Sequence, residues 1–244
     1  MRHRSLDQVD HRPWALPSGP WTWRQSWLDL AFIHYRVDPA LLRPRVPAKL
    51  QVEVFDGSAW VSVVPFRMSD IAPGRMPSVW PLRNFPELNV RTYVTDGVKP
   101  GVWFFSLDAD CLPIVLGGRL LYGLPYHASR MSLMGRQGTF VFRSLRNAGR
   151  IRFDAEYQGE GDVYVAAPGT LEHWLTERYC LYSRLGDRVR RLEVHHKPWP
   201  LCRGRISIAA SDVLPAAKIQ VFDEPPLCHV SSGVEVISYA PVVV

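Results

Sequence analysis

From Glu87 to Val94 the chain alternates Glu87, Asn89, Arg91 and Tyr93 with Leu88, Val90, Thr92 and Val94. On a strand this spacing puts a carboxylate, an amide, a guanidinium and a phenol on one face, with mostly apolar groups on the other. Facing a protein interior, the polar row could do chemistry. Arg91 could grip a substrate carboxylate with a fork of two hydrogen bonds. Glu87 is then a candidate general base, its ionisation set by burial against the charge of Arg91. Asn89 and Tyr93 would add hydrogen bonds to the same ligand. Facing outward, the row is an exposed Glu–Arg pair of little energetic weight.

A second group follows in Gly118-Arg119-Leu120-Leu121-Tyr122-Gly123-Leu124-Pro125-Tyr126-His127. Tyr126 and His127 point opposite ways on an extended backbone, so only one is expected to enter a pocket shared with the row. Tyr126 could act as a hydrogen-bond donor or acid, and His127 as a group titrating near neutrality. Arg119 and Tyr122 are candidate ligand contacts, and Arg119 is equally suited to holding the loop. His195 and His196 look like a metal pair, but adjacent strand residues face opposite sides. No Asp or Cys stands at ligand spacing, although Glu193 shares a face with His195, so no metal site is expected. The glycine-rich dinucleotide and phosphate signatures and the nucleophile-elbow signature do not occur, and no cofactor is expected.

The composition narrows the class. The net charge of +6 is carried almost wholly by arginine, since only Lys49, Lys99, Lys197 and Lys218 are lysines. These arginines are scattered through strand-like segments, and the densest cluster, Arg184 to Arg191, is interrupted by other residues. A nucleic-acid partner, which needs a continuous basic face, is therefore not expected. No apolar run approaches the roughly 18 residues of a spanning helix, so no membrane partner is expected. The basic start has no apolar stretch behind it and reads as no export signal. Cys111, Cys180, Cys202 and Cys228 are far apart and fit small buried groups in a reducing cytoplasm.

The elements that would position these residues are mostly strands. Residues 1–20, polar and proline-bearing, read as a flexible N-terminal arm, and residues 21–244 as one barrel domain. Strands are expected from the tryptophan alternation after Trp21, over Phe32–Val37, and over Leu50–Val54. The last of these is expected to turn through Phe55-Asp56-Gly57-Ser58 into a hairpin with Ala59–Phe66. Further strands are Leu88–Val94, Val102–Asp108, Ala128–Leu133, Thr139–Leu145, Arg150–Tyr157, Arg188–His195, Cys202–Ile208 and Val230–Tyr239. The Thr139–Leu145 pair turns through Arg146-Asn147-Ala148-Gly149. Asp38-Pro39 should start a short helix, and Leu171–Tyr182 shows an apolar stripe of a longer one, capped by Thr170. Residues 69–86, with four prolines, read as a long loop of the kind that forms lids. Strands outnumber helices without βαβ alternation. The fold class is mainly β (α+β), a closed or nearly closed sheet with a few helices.

Several segments carry a family resemblance. Phe32 to Asp38, Leu41-Leu42, Val46 to Leu50 and the final Val230 to Ile237 resemble the acetoacetate decarboxylase-like superfamily. The match is more specific to its YqjF-like family of uncharacterised bacterial proteins. That likeness rests on Phe55 to Val61, Pro86 to Val94, Gly101 to Asp108, Glu177-Arg178-Tyr179 and Val194 to Leu201. The resemblance implies the superfamily's β-barrel with peripheral helices and a site in its interior, with Glu87 resembling the family's glutamate and Arg119 its Gly-Arg arginine. It also implies that Tyr126 and His127 stand where the decarboxylases carry two adjacent lysines, the first of which forms a Schiff base. Imine chemistry is therefore not expected. A small carboxylated or carbonyl ligand is, handled by acid–base chemistry or merely bound, unless the barrel is packed solid. The decarboxylases assemble into larger complexes, which makes a homo-oligomer a further expectation.

Overall fold

The computed structural model describes residues 3–146 and 150–244. The sheet runs through β1 (Trp23–Val37), β2 (Gln51–Val52), β3 (Ala59–Pro73), β4 (Asn84–Thr95), β5 (Pro100–Ala109), β6 (Tyr126–Arg136) and β7 (Thr139–Arg146). It continues through β8 (Ile151–Tyr164), β9 (Cys180–Leu185), β10 (Arg188–His195), β11 (Leu201–Ser211), β12 (Leu227–Ser238) and β13 (Val242–Val243). The described residues also form four short α-helices: α1 (Pro39–Leu42), α2 (Leu112–Gly117), α3 (Leu171–Thr176) and α4 (Val213–Ala216). The turn expected at Arg146–Gly149 lies largely outside the described residues.

The sheet closes on itself twice. Its order is β13-β10-β9-β5-β6-β7-β8-β11-β12-β1-β3-β4-β2, with added pairings of β10 with β12 and of β5 with β4. A smaller ring is thus made by β5, β4, β3, β1, β12, β10 and β9, and a larger one by β5 to β8, β11, β12, β1, β3 and β4. Five strands serve both rings, so both of their faces are buried. Alternate residues feed two cores. Leu30, Phe32, Val64, Phe66 and Tyr93 belong to that of the smaller ring. Ala31, Ile33, Val63, Leu88 and Val90 belong to that of the larger one. Full closure also removes most unpaired edges.

Four expectations are corrected. β2 pairs with β4, Val52 opposite Val94, and forms no hairpin with β3; Phe55 and Ser58 make only a local bridge. Residues 69–86 are loop only in their middle, because β3 runs to Pro73 and β4 starts at Asn84, with Asp70 N–H donating to Arg83 O at 3.0 Å. The helix from Leu171 stops at Thr176, and Cys180–Leu185 is a strand between β10 and β5. Helical propensity yields here to buried polar contacts: Glu177 accepts from Trp199 N–H and Tyr179 Oη, and Arg178 Nη1 donates to Glu53 Oε2 at 2.6 Å. The N-terminal stretch is packed rather than loose. Arg12 donates to Val194 O at 2.7 Å and to Glu193 Oε2 at 3.3 Å, and Trp14 Nε1 reaches the same carboxylate at 2.8 Å.

Candidate functional site

The polar row of β4 faces inward. Glu87, Asn89 and Arg91 are all buried and line a cavity of about 270 Å3 inside the smaller ring. Their neighbours Leu88 and Val90 point into the larger ring. The outward alternative for the row is thereby overturned: both faces of β4 are interior, one against each core. Tyr93 continues the row but does not line the cavity. Its hydroxyl is engaged with Ser62 Oγ at 2.6 Å, which in turn meets His34 Nδ1 at 2.6 Å.

Tyr126 is brought to Glu87 by a local device. The chain leaves β5, forms α2 and a π-helical turn over Gly118–Tyr122, and re-enters the sheet with Leu107 opposite Tyr126 in a parallel pair. A Cβ on Gly118 would lie 2.4 Å from the Tyr126 ring, so the turn can cover the phenol only as glycine. Gly123 ends the turn at φ +65°, and a Cβ there would lie 2.2 Å from Arg184 O. Arg119 Nε donates to Tyr126 O at 2.5 Å. That arginine holds the segment and is not part of the cavity wall, which removes it as a ligand contact. Tyr122 does line the cavity, where its hydroxyl accepts from Trp23 Nε1 at 2.8 Å.

Tyr126 Oη donates to Glu87 at 3.2 Å and 3.4 Å from its two carboxylate oxygens. Burial pushes the Glu87 carboxyl up to about 8; the Tyr126 hydrogen bond pulls it back, and Asp108 adds to the rise. Arg91 is not among the causes, so the expected balance between burial and Arg91 is settled by burial. Glu87 is a neutral acid at pH 7, not the ready base expected. Burial and the neighbouring carboxyl raise the Tyr126 phenol well above its ordinary value. Both groups therefore hold protons at neutrality.

His127 is turned away from the cavity, beside Asp108 in the parallel pairing. Burial, with Arg146 and Arg119, lowers it to about 4, so it is neutral at pH 7. Asp108 is ion-paired with Arg146 Nη1 at 3.1 Å, and burial still raises it to about 6. His127 is thus no partner of Tyr126 in one pocket. His195 and His196 also diverge: His195 Nε2 meets Ser5 O at 2.8 Å, while His196 stacks on Tyr179. No three His, Cys, Asp or Glu residues are grouped to hold a metal among the described residues.

Among the described residues, two arginines reach the cavity. Arg178 is tied to Glu53 and to Trp174 O at 2.6 Å. Arg91 has no carboxylate partner among the described residues: it reaches Leu175 O at 3.5 Å, and its buried Nε is unpartnered. The buried Oδ1 of Asn89 is unpartnered too. Arg178 escaped the sequence reading, although a signal was present. It falls on the apolar stripe of the supposed Leu171–Tyr182 helix, where a charge is out of place. Trp27 and Trp199, stacked at 6.1 Å, form another part of the wall.

This architecture, a doubly closed sheet enclosing one polar row, is the acetoacetate decarboxylase-like fold. The crystal structure of acetoacetate decarboxylase from Legionella pneumophila aligns with a TM-score of 0.65 at 16% identity, covering 98% of this chain and 94% of that one. The enduracididine biosynthesis enzyme MppR, complexed with pyruvate, aligns with a TM-score of 0.63 at 14% identity, covering 98% and 96%. The chain belongs to the DUF2071 family, described as an uncharacterized conserved protein, whose model matches residues 24–235. The uncharacterized protein YqjF of Bacillus subtilis (strain 168) is 36% identical over 224 residues, 91% of this chain and 93% of that protein. No helix among the described residues is long and apolar enough to cross a membrane.

Proposed function

We propose that the smaller ring binds an organic carboxylate and that Glu87, held by Tyr126, acts on it as a proton donor, without an imine. The observation that carries this reading is Arg91, a buried guanidinium on the cavity wall with no carboxylate partner among the described residues. A buried unpaired charge is costly, and a ligand anion seated on it offsets that cost. Glu87, protonated at pH 7 and held by the Tyr126 hydroxyl, can donate a hydrogen bond to a ligand carbonyl oxygen and polarise it. That no lysine is present among the described residues that line the cavity supports a reading without amine catalysis. The pyruvate held by a neighbour of the same fold supports a carboxylated ligand. The four cysteines, all free, agree with a cytoplasmic setting.

The test is a thermal-shift screen against organic acids with wild type and Arg91→Met. An acid present at about 100 times its Kd stabilises by about 2.7 kcal/mol, which in a chain of this size raises Tm by roughly 5–10 °C. The shift is expected in wild type and absent in Arg91→Met; equal shifts in both would remove the anchoring role. Borohydride added with acetoacetate should leave the protein mass unchanged, and a reduced adduct on any lysine contradicts the imine-free reading.

A further inference from the structure

The geometry points to an amphiphilic monocarboxylate of about six to ten carbons as the ligand of this cavity; this rests on the carboxylate reading above and names the class of acid. Two ionisable places, well separated, stand on its wall, with the Asn89 amide between them. One is Arg91, whose guanidinium carbon lies 5.5 Å from the Phe32 ring and 5.9 Å from the Tyr93 ring, with Nη2 toward Leu175 O. It leans along β4 away from Glu87. Arg178 stands at the same end, 5.0 Å from the Tyr93 ring. The other place is the Glu87–Tyr126 pair, four strand residues from Arg91 and so about 13 Å along the backbone. The π-helical turn covers that end. Leu121 of the turn both lines the cavity and is 63% exposed, which puts the opening there.

Between the two places the wall is apolar apart from Asn89: Leu30, Phe32, Val64, Phe66, Phe104 and Leu107 face the space. An acid of two to four carbons, with bonds of about 1.5 Å, cannot sit on Arg91 and reach Glu87 as well. It would also leave most of this wall uncovered. The volume, about 270 Å3, exceeds the roughly 150 Å3 that holds a benzene molecule. A carboxylate head on Arg91 with a hydrocarbon or aryl body running past Glu87–Tyr126 toward Leu121 fills it. One carboxylate is the right number. Glu53 already neutralises Arg178, and a second ligand anion would lie beside apolar wall and a neutral Glu87.

Titration calorimetry with wild type decides this through a series of acetate, butanoate, hexanoate and octanoate, with pyruvate, octanedioate and 1-octanol as comparisons. Affinity is expected to rise by up to about fourfold per added methylene until the cavity is full. Octanedioate and 1-octanol should bind at least tenfold more weakly than octanoate. Arg91→Met should lower octanoate binding to the level of 1-octanol, and Arg91→Gln serves the same purpose if the methionine variant does not fold. Affinity that is flat along the series, or octanedioate equal to octanoate, overturns the proposed class. If pyruvate and butanoate then still bind in an Arg91-dependent way, the carboxylate reading survives alone. Binding of no acid at all overturns both.

Discussion

Glu87→Gln is expected to become steadily more stable than wild type as pH rises from 4.5 to 8, and to match its trend below that window. The native carboxyl titrates at about 8, against 4.5 for its ordinary value. Between those values the unfolded chain has released its proton and the native chain has not. Wild-type stability therefore falls by about 1.4 kcal/mol per pH unit from this group. The contribution is fully present below 4.5 and lost as pH passes 8. Glutamine keeps the shape and can still accept from Tyr126 Oη, but it has no proton to lose. The difference between the two proteins by pH 9 is expected to be several kcal/mol. His127 and His195, each lowered to about 4, and Asp108, raised to about 6, titrate in both proteins. Subtracting the two curves leaves Glu87 together with its coupling to Asp108. Urea denaturation from pH 4 to 9 measures the effect, and parallel curves would mean that Glu87 is solvated.

Gly123→Ala is expected to destabilise the fold by about 3 kcal/mol or more, lowering Tm by roughly 6–12 °C. Two causes act together. The residue sits at φ +65°, where a Cβ is strained, and the new methyl would meet the backbone carbonyl of Arg184 at 2.2 Å. Backbone cannot swing aside as a side chain does. Gly117→Ala is the control. It closes α2 with nothing within 4 Å of a new Cβ, so it is expected to be neutral or slightly stabilising. Because Gly123 ends the turn that presents Tyr126, the loss should extend to carboxylate binding. A Gly123→Ala protein within about 0.5 kcal/mol of wild type would show that this turn is not held against β9.

The site was legible in the sequence as residue types, and less so as directions. The alternation from Glu87 to Val94 identified the strand and its polar face. Ordinary patterning could not say which way that face turned, because a strand shared by two rings buries both sides. A buried Leu88 therefore says nothing about Glu87. Tyr126 and His127 were separable by alternation alone, and the fold kept Tyr126 for the cavity. Arg119 was ambiguous because its work is done on a backbone carbonyl seven residues on, which no local pattern encodes. The Leu171–Tyr182 segment misled for a related reason. Its spacing suits a helix, yet Glu177, Arg178 and Tyr179 gain partners at Trp199 and Glu53 that only tertiary structure supplies. β2 was placed in the wrong pairing because its neighbour in the chain is not its neighbour in the sheet. The prolines of 69–86 read as loop, though Pro73 and Pro86 sit within strand ends.

The inward turn of the β4 row is tested most directly by the ionisation of one group. The protein is labelled with 13C at glutamate side chains, and the Glu87 carboxyl, assigned through Glu87→Gln, is followed by NMR from pH 4 to 10. A midpoint near 8 is expected, moving upward in Tyr126→Phe, where the hydrogen bond that favours the anion is gone. A midpoint near 4.5 would place Glu87 in water and leave the cavity without its acid.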